Sequence, residues 1–269
     1  MSANLLTMND GRTIPPIGFG TYLVPSEDAP RITREGIDVG YRLVDTAAFY
    51  GNESGVAEGI GDSSVFVTTK LWRSDLGFDS ALAAFDRSLE KLGRASVDLY
   101  LIHWPMASLG TRYVDAWKAL VRLRGEGRAK SIGVSNFEPD HIRAILDATG
   151  VAPAVNQIEL HPRFQQRALR EVHAEHGIIT QSWAPLGQGT LLEHPQIVEI
   201  ADKRSCSPAQ AILAWHLHHG LAAIPKASSR ERLAANLAAG AVDLTPADIA
   251  RIDALDDPDG RLGPDPATL

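Results

Sequence analysis

The sequence predicts a single (β/α)8 barrel over residues 1–269, preceded by an N-terminal β-hairpin and ending in a short C-terminal tail. Three observations carry that expectation. About eight short apolar runs recur, usually roughly 25 to 40 residues apart. Amphipathic helical patterns lie between them. No linker or low-complexity stretch interrupts the alternation. Such runs suit strands buried on both faces, as in a parallel sheet. Strand–helix alternation repeated about eight times suits a barrel. The alternative is a doubly wound sheet, which usually carries G-x-G-x-x-G after its first strand. Here "GFGTYL" lacks the third glycine, and "GIGDSS" precedes a strand instead of following one. The barrel is therefore preferred.

The elements follow in order. "LLTMNDGRTIP" reads as a hairpin, because Asn9, Asp10 and Gly11 tolerate the positive φ of a tight turn. The strands are expected at "PPIGFG", "YRLVD", "VFVTTK", "VDLYLIHW", "AKSIGVSN", "APAVNQIEL", "IITQSWAP" and "LAAIPKA". In "FDSALAAFDRSLEKLG" the apolar residues Leu82, Phe85, Leu89 and Leu92 share one helix face, and Gly93 is placed to end the helix. "YVDAWKALVRLRGEG" and "DHIRAILDATG" repeat the scheme. In "TPADIARIDAL", Thr245 is the expected cap and Pro246 the first helical residue.

Composition narrows the function. A chain of 269 residues with 44% hydrophobic content can bury a large core. A net charge of -7 argues against a general nucleic-acid or anionic-membrane surface. The single cysteine, Cys206, excludes an internal disulfide framework and a cysteine metal cluster. "MSANLLTMNDGRTIPPIG" has no charged head followed by an apolar run, so no signal peptide is expected. No apolar run approaches the roughly 18 residues of a membrane span. The expected location is cytoplasmic, and the sequon Asn52-Glu53-Ser54 is expected to remain unglycosylated. "HAEH" and "HLHH" lack the i, i+4 histidine pair with an intervening glutamate, so no metal site is expected.

Barrel chemistry collects at the C-terminal ends of the strands. Those ends carry Asp45, Lys70, His103, Ser135-Asn136, Gln157, Trp183 and Lys226. Any one alone reads as a solvated or structural residue. Three titratable groups terminating three successive apolar strands should instead converge on one mouth. In "VDTAAFYGNE" a tyrosine, Tyr50, follows the first of them. A phenol is a poor donor near neutrality, with an unperturbed pKa of about 10. A nearby ammonium lowers it by favouring the phenolate. Lys70 can supply that ammonium, Asp45 can hold it charged, and His103 can donate to or orient an oxygen at the same spot. Such a set suits protonation of a carbonyl oxygen while another group delivers hydride.

"DTAAFYGNE", "TTKLW", "LIHWP", "GVSNF", "NQIELHP", "SWAPLGQG" and "IPKASSRERLAAN" resemble the aldo-keto reductase family, in order and over nearly the whole chain. "QSWAPLGQG" and "RLGPDPATL" resemble its prokaryotic 2,5-diketo-D-gluconate reductase-like branch. The resemblance implies a (β/α)8 barrel, NADPH, and reduction of small aldehydes, ketones, dicarbonyls or keto-sugars by a monomer. It implies Tyr50 as general acid, assisted by His103, Lys70 and Asp45. It assigns cofactor contacts to Thr21, Tyr22, Asp45, Ser135, Asn136, Gln157, Trp183, Leu186, Gly187, Lys226, Ser228, Arg232 and Asn236. Of these, Trp183 would stack on the nicotinamide, and Lys226 and Arg232 would hold the 2′-phosphate. Ala227 and Ala235 stand where the family often has serine and glutamate, which removes one phosphate and one adenine contact. Tyr22, Trp72 and Trp104 are the expected substrate pocket. A second reading, a nicotinamide-binding regulatory subunit like those of potassium channels, is disfavoured by the intact four-residue set.

Overall fold

Leu6–Thr7 (β1) and Thr13–Ile14 (β2) pair antiparallel around the expected turn, where Gly11 has φ +85°. Met8 and Ile14 of this hairpin pack on Leu43, Leu99, Leu101, Val155 and Ile224. This computed structural model describes residues 5–269; residues 1–4, the head of the stretch read above for an export signal, lie outside the described residues.

Eight parallel strands follow, each at a predicted run: Phe19–Gly20 (β3), Leu43–Asp45 (β4), Phe66–Leu71 (β5), Val97–Ile102 (β6), Ala129–Ser135 (β7), Val155–Glu159 (β8), Ile179–Trp183 (β9) and Ala222–Ala223 (β10). They pair in chain order from β3 to β10. β10 also returns to the segment containing β3: Ala223 N donates to Pro16 O at 2.8 Å and Gly18 N to Ala223 O at 3.0 Å. These bonds close the ring, so the fold is the expected (β/α)8 barrel.

Helices cover the outer face. Among them are Ala29–Val39 (α1), Glu53–Ile60 (α2), Phe78–Leu92 (α3), Arg112–Gly125 (α4), Pro139–Thr149 (α5) and Arg167–Glu175 (α6). After β9 come Pro195–Lys203 (α7) and Pro208–His218 (α8), and after β10 come Arg230–Leu237 (α9) and Pro246–Asp253 (α10). In α3 the buried face includes Phe85, Leu89 and Leu92, and Gly93 ends the helix with φ +59°. Leu82 is only half-buried, at the margin of that face. Thr245 caps α10 by accepting from Asp248 N, a bond of a kind worth about 1 kcal/mol. The larger core lies between sheet and helices. Among the described residues, no helix is long and apolar enough to cross a membrane.

Candidate active site

The strands β4, β5 and β6 are neighbours and parallel, so their C-terminal ends lie together. Asp45 ends β4, Lys70 lies one residue from the end of β5, and His103 follows β6. Lys70 is 0% exposed and donates from Nζ to Asp45 Oδ1 at 2.5 Å, to Thr46 O at 2.9 Å and to Tyr50 Oη at 3.4 Å. Gln157 Nε2 donates to the other oxygen, Asp45 Oδ2, at 2.7 Å. Burial by itself favours the neutral form of each partner, raising Asp45 and lowering Lys70, while their mutual attraction opposes it. With Gln157 also on Asp45, and Thr46 O and Tyr50 also on Lys70, the contact is that of an ion pair.

Tyr50 is half-buried and closes a short 3-10 turn, Ala48–Tyr50. Its hydroxyl is pushed well above the ordinary phenol value, first by burial and then by the negative charge of Asp45 and by Tyr22. This corrects the expectation that Lys70 lowers it. The ammonium is already matched by a carboxylate closer to it than the phenol is, so loss of water decides the sign. Tyr50 therefore keeps its proton at neutral pH. His103 is driven well below the usual histidine value, by burial and then by the Lys70 charge, and is neutral. Its Nδ1 is buried with no protein partner. A proton placed there would be an unpaired buried donor, so the proton belongs on Nε2.

Beside this cluster, Ser135, Asn136, Gln157 and Trp183 form a second one. Asn136 sits at φ +63°, with its amide anchored on three sides. Its Nδ2 donates to His103 O and to Ser135 Oγ, both at 3.0 Å, and its Oδ1 accepts from Trp183 Nε1 at 2.8 Å. Ser135 Oγ donates to Gln157 O at 2.7 Å. Gln157 Nε2 also donates to Gln181 Oε1 at 2.8 Å, so both its amide hydrogens are engaged and Oε1 is the atom left to accept. In the following loop, Gly187, Gln188 and Gly189 all have positive φ, and Leu186 is half-buried just before them. Across the mouth, Lys226 bridges to Gly20 beside the buried Thr21. Lys226, Ser228 and Arg232 are exposed, Asn236 is buried, and Arg230 is drawn to Asp38 at 3.9 Å.

The aromatic residues divide. Tyr22 is half-exposed with its ring 5.1 Å from that of Tyr50. Trp72 lies edge-on to His103 at 5.1 Å. Trp104 is half-buried and packs against the main core. The sequence reading missed Phe49, which stacks on Trp72 at 3.8 Å. It also missed Asn52. That side chain, 1% exposed, donates to Thr21 O and Val24 O and accepts from Thr46 Oγ1, tying the β3 loop to the end of β4. Its amide is thus inside the fold, where a glycan cannot be attached. The histidines of "HAEH" and "HLHH" lie on or just after α6 and α8. His173 is bonded to Asn156 and Thr180, and His216 to Ile212 O. Among the described residues no three metal-ligating side chains converge.

The model of the "Aldo/keto reductase family" matches residues 16–257. The chain belongs to that family. Relatives match over nearly their full length. An aldo-keto reductase of Mycobacterium sp. (strain KMS) is 48% identical, covering 100% of this chain and 99% of its own. The 9,11-endoperoxide prostaglandin H2 reductase of Trypanosoma cruzi is 42% identical, covering 98% and 95%. Among solved structures, a mutant of Gox0644 in complex with NADPH superposes with a TM-score of 0.98 at 49% identity, covering 100% and 99%.

Proposed function

We propose that the chain is an NADPH-dependent reductase of small aldehydes, ketones, dicarbonyls and keto-sugars, with Tyr50 as proton donor. The observation that carries this reading is a neutral phenol held 3.4 Å from the Lys70 ammonium, which Asp45 fixes from behind at 2.5 Å. The complex of a 49%-identical neighbour with NADPH supports the cofactor.

The residues present fit that cofactor. Gln157 Oε1 offers an acceptor to a carboxamide, with Ser135 and Asn136 beside it. The Trp183 indole, pinned through Nε1, offers a face for stacking. Lys226 and Arg232 offer an exposed charge and a planar fork for a 2′-phosphate. The positive-φ run at Gly187–Gly189 allows close backbone approach, and Thr21, Tyr22, Leu186, Ser228 and Asn236 complete the proposed contacts.

When bound, NADPH supplies the hydride. The protein's part is the proton. His103 Nε2–H and Tyr50 Oη–H donate to the carbonyl oxygen and so polarise the carbonyl. Tyr50 would give its proton to that oxygen as the carbonyl is reduced, leaving the alcohol. The phenolate left behind is stabilised by Lys70 at 3.4 Å. Lys70 thus acts on the transition state and product, where the charge appears, and not on the resting phenol. Tyr22, Phe49 and Trp72 give the pocket an apolar, aromatic rim suited to small substrates.

The finer kinship proposed is with the 2,5-diketo-D-gluconate reductase-like branch, on "QSWAPLGQG" and "RLGPDPATL"; the proposed state is a cytoplasmic monomer. The test is to follow NADPH absorbance with a panel of small aldehydes, dicarbonyls and keto-sugars. Oxidation matched by alcohol formation is expected. NADPH binding without turnover of any carbonyl would favour a regulatory nicotinamide-binding role instead.

A further inference from the structure

Outside the catalytic cluster, one more carboxylate ends an apolar strand. Glu159 closes β8, is 1% exposed, and takes three donors. His161 Nε2 at 3.1 Å and Leu262 N at 2.6 Å donate to Oε1, and Gly263 N at 2.8 Å donates to Oε2. Burial would raise this carboxyl, but the donors outweigh it and hold it below the usual glutamate value. Two successive backbone N–H groups thus converge on the two oxygens of one buried carboxylate, 103 and 104 residues earlier in the chain.

What that latch holds is the edge of Trp183. A Cβ on Gly263 would lie 2.5 Å from Trp183 Cη2 and 3.0 Å from Glu159 Oε2, so the tail backbone rests directly on the indole. The Nε1 of the same indole is fixed by Asn136, which also holds His103 O. Beyond the latch the tail runs to Leu269, whose carbonyl accepts from Ser108 N at 3.2 Å in the loop after β6. The tail therefore joins the loop of the catalytic histidine to the nicotinamide platform.

We propose that Glu159 is a positioning residue for hydride transfer: it fastens the tail against the Trp183 indole and so sets the surface on which the nicotinamide ring is placed. This rests on the reading of the chain as an NADPH-dependent reductase. Glutamine cannot replace it, since its amide nitrogen would turn a donor toward a backbone N–H.

Two variants test it from opposite sides of the contact. Glu159→Gln breaks the latch, and Gly263→Ala keeps the carboxylate but forces the tail off the indole. In the NADPH-free protein, amide exchange at Leu262 and Gly263 in Glu159→Gln is expected to quicken at least tenfold, with α4 unchanged. Loss of one bond to a charged group amounts to roughly a 10- to 150-fold effect. Both variants should therefore weaken NADPH, titrated by tryptophan fluorescence, about tenfold. Both should also raise the deuterium isotope effect on kcat with 4-deuterated NADPH, while KM for a small dicarbonyl changes less than threefold. Unchanged exchange would overturn the latch. Faster exchange with unchanged NADPH affinity and isotope effect would reduce Glu159 to a structural anchor, and a change in KM alone would make the tail a substrate wall. If the wild type turned over no carbonyl, the functional reading would fall, while the exchange and NADPH-binding arms would still decide the role of Glu159.

Discussion

Replacing Lys70 by methionine keeps most of the apolar stem and deletes the ammonium. Asp45, 1% exposed, then keeps the Gln157 amide at 2.7 Å and loses its cationic partner Lys70, at 2.5 Å. A buried charge stripped of its partner costs about 3–5 kcal/mol. At about 2–4 °C per kcal/mol for a domain approaching this size, Tm should fall by roughly 6–20 °C. Asp45→Asn combined with Lys70→Met leaves no charge to strand. Neutral replacement of a buried pair is often near-neutral for stability, so the double variant should recover most of the loss. Activity should not recover with it, because nothing then stabilises the Tyr50 phenolate. Urea unfolding of the wild type, both single variants and the double variant gives the coupling directly. A Lys70→Met protein as stable as wild type would show that the pair carries no charge in the fold. A fully active double variant would show that Lys70 has no part in proton transfer.

Three further outcomes are expected. Arg232→Ala should weaken NADPH by about 10- to 150-fold and leave NADH unchanged, since only NADPH carries the 2′-phosphate; equal weakening of both in fluorescence titrations would assign Arg232 to the fold. Burial lowers His173 to about 3 and His216 to about 4, both below the unfolded value of 6.5. On acidification the unfolded chain takes up those protons first, so this stability is full above about pH 6.5 and drains toward pH 4 and 3. Each histidine should cost about 2 kcal/mol at pH 5, and urea midpoints that do not fall between pH 7 and pH 5 would contradict it. The tail from Asp256 to Leu269 forms no helix and gives little apolar wall for a bulky substrate, so kcat/KM should favour a small dicarbonyl over a 3-ketosteroid. A hundredfold preference for the steroid would refute that.

The strands were legible because most of their residues are buried, so apolar residues cluster there in short runs, even where polar residues such as Thr68, Asn156 and Gln181 are buried among them. The convergence of Asp45, Lys70 and His103 was legible for a related reason: a carboxylate, an amine and an imidazole stand at or just past the ends of three neighbouring runs. Glu159 carries the same signal at the end of "NQIEL", yet its partners are the backbone of Leu262 and Gly263, which no local pattern announces. Asn52 read as a sequon because its role depends on Thr21, Val24 and Thr46, brought to it by the fold. Phe49 became visible only once Trp72 was stacked on it. The direction of the Tyr50 shift was misjudged for a related reason. Sequence shows which charge can approach the phenol, but not how closely Asp45 already matches that charge, nor how much water is excluded.

The central claim is that Tyr50 is the proton donor, and Tyr50→Phe tests it most directly. The ring and its contact with Tyr22 remain while the hydroxyl, 3.4 Å from Lys70, is lost. General acid catalysis contributes about 10²–10⁴-fold, so kcat for a small dicarbonyl should fall by at least that order, with NADPH affinity unchanged by tryptophan fluorescence. Near-normal turnover in Tyr50→Phe would contradict the account.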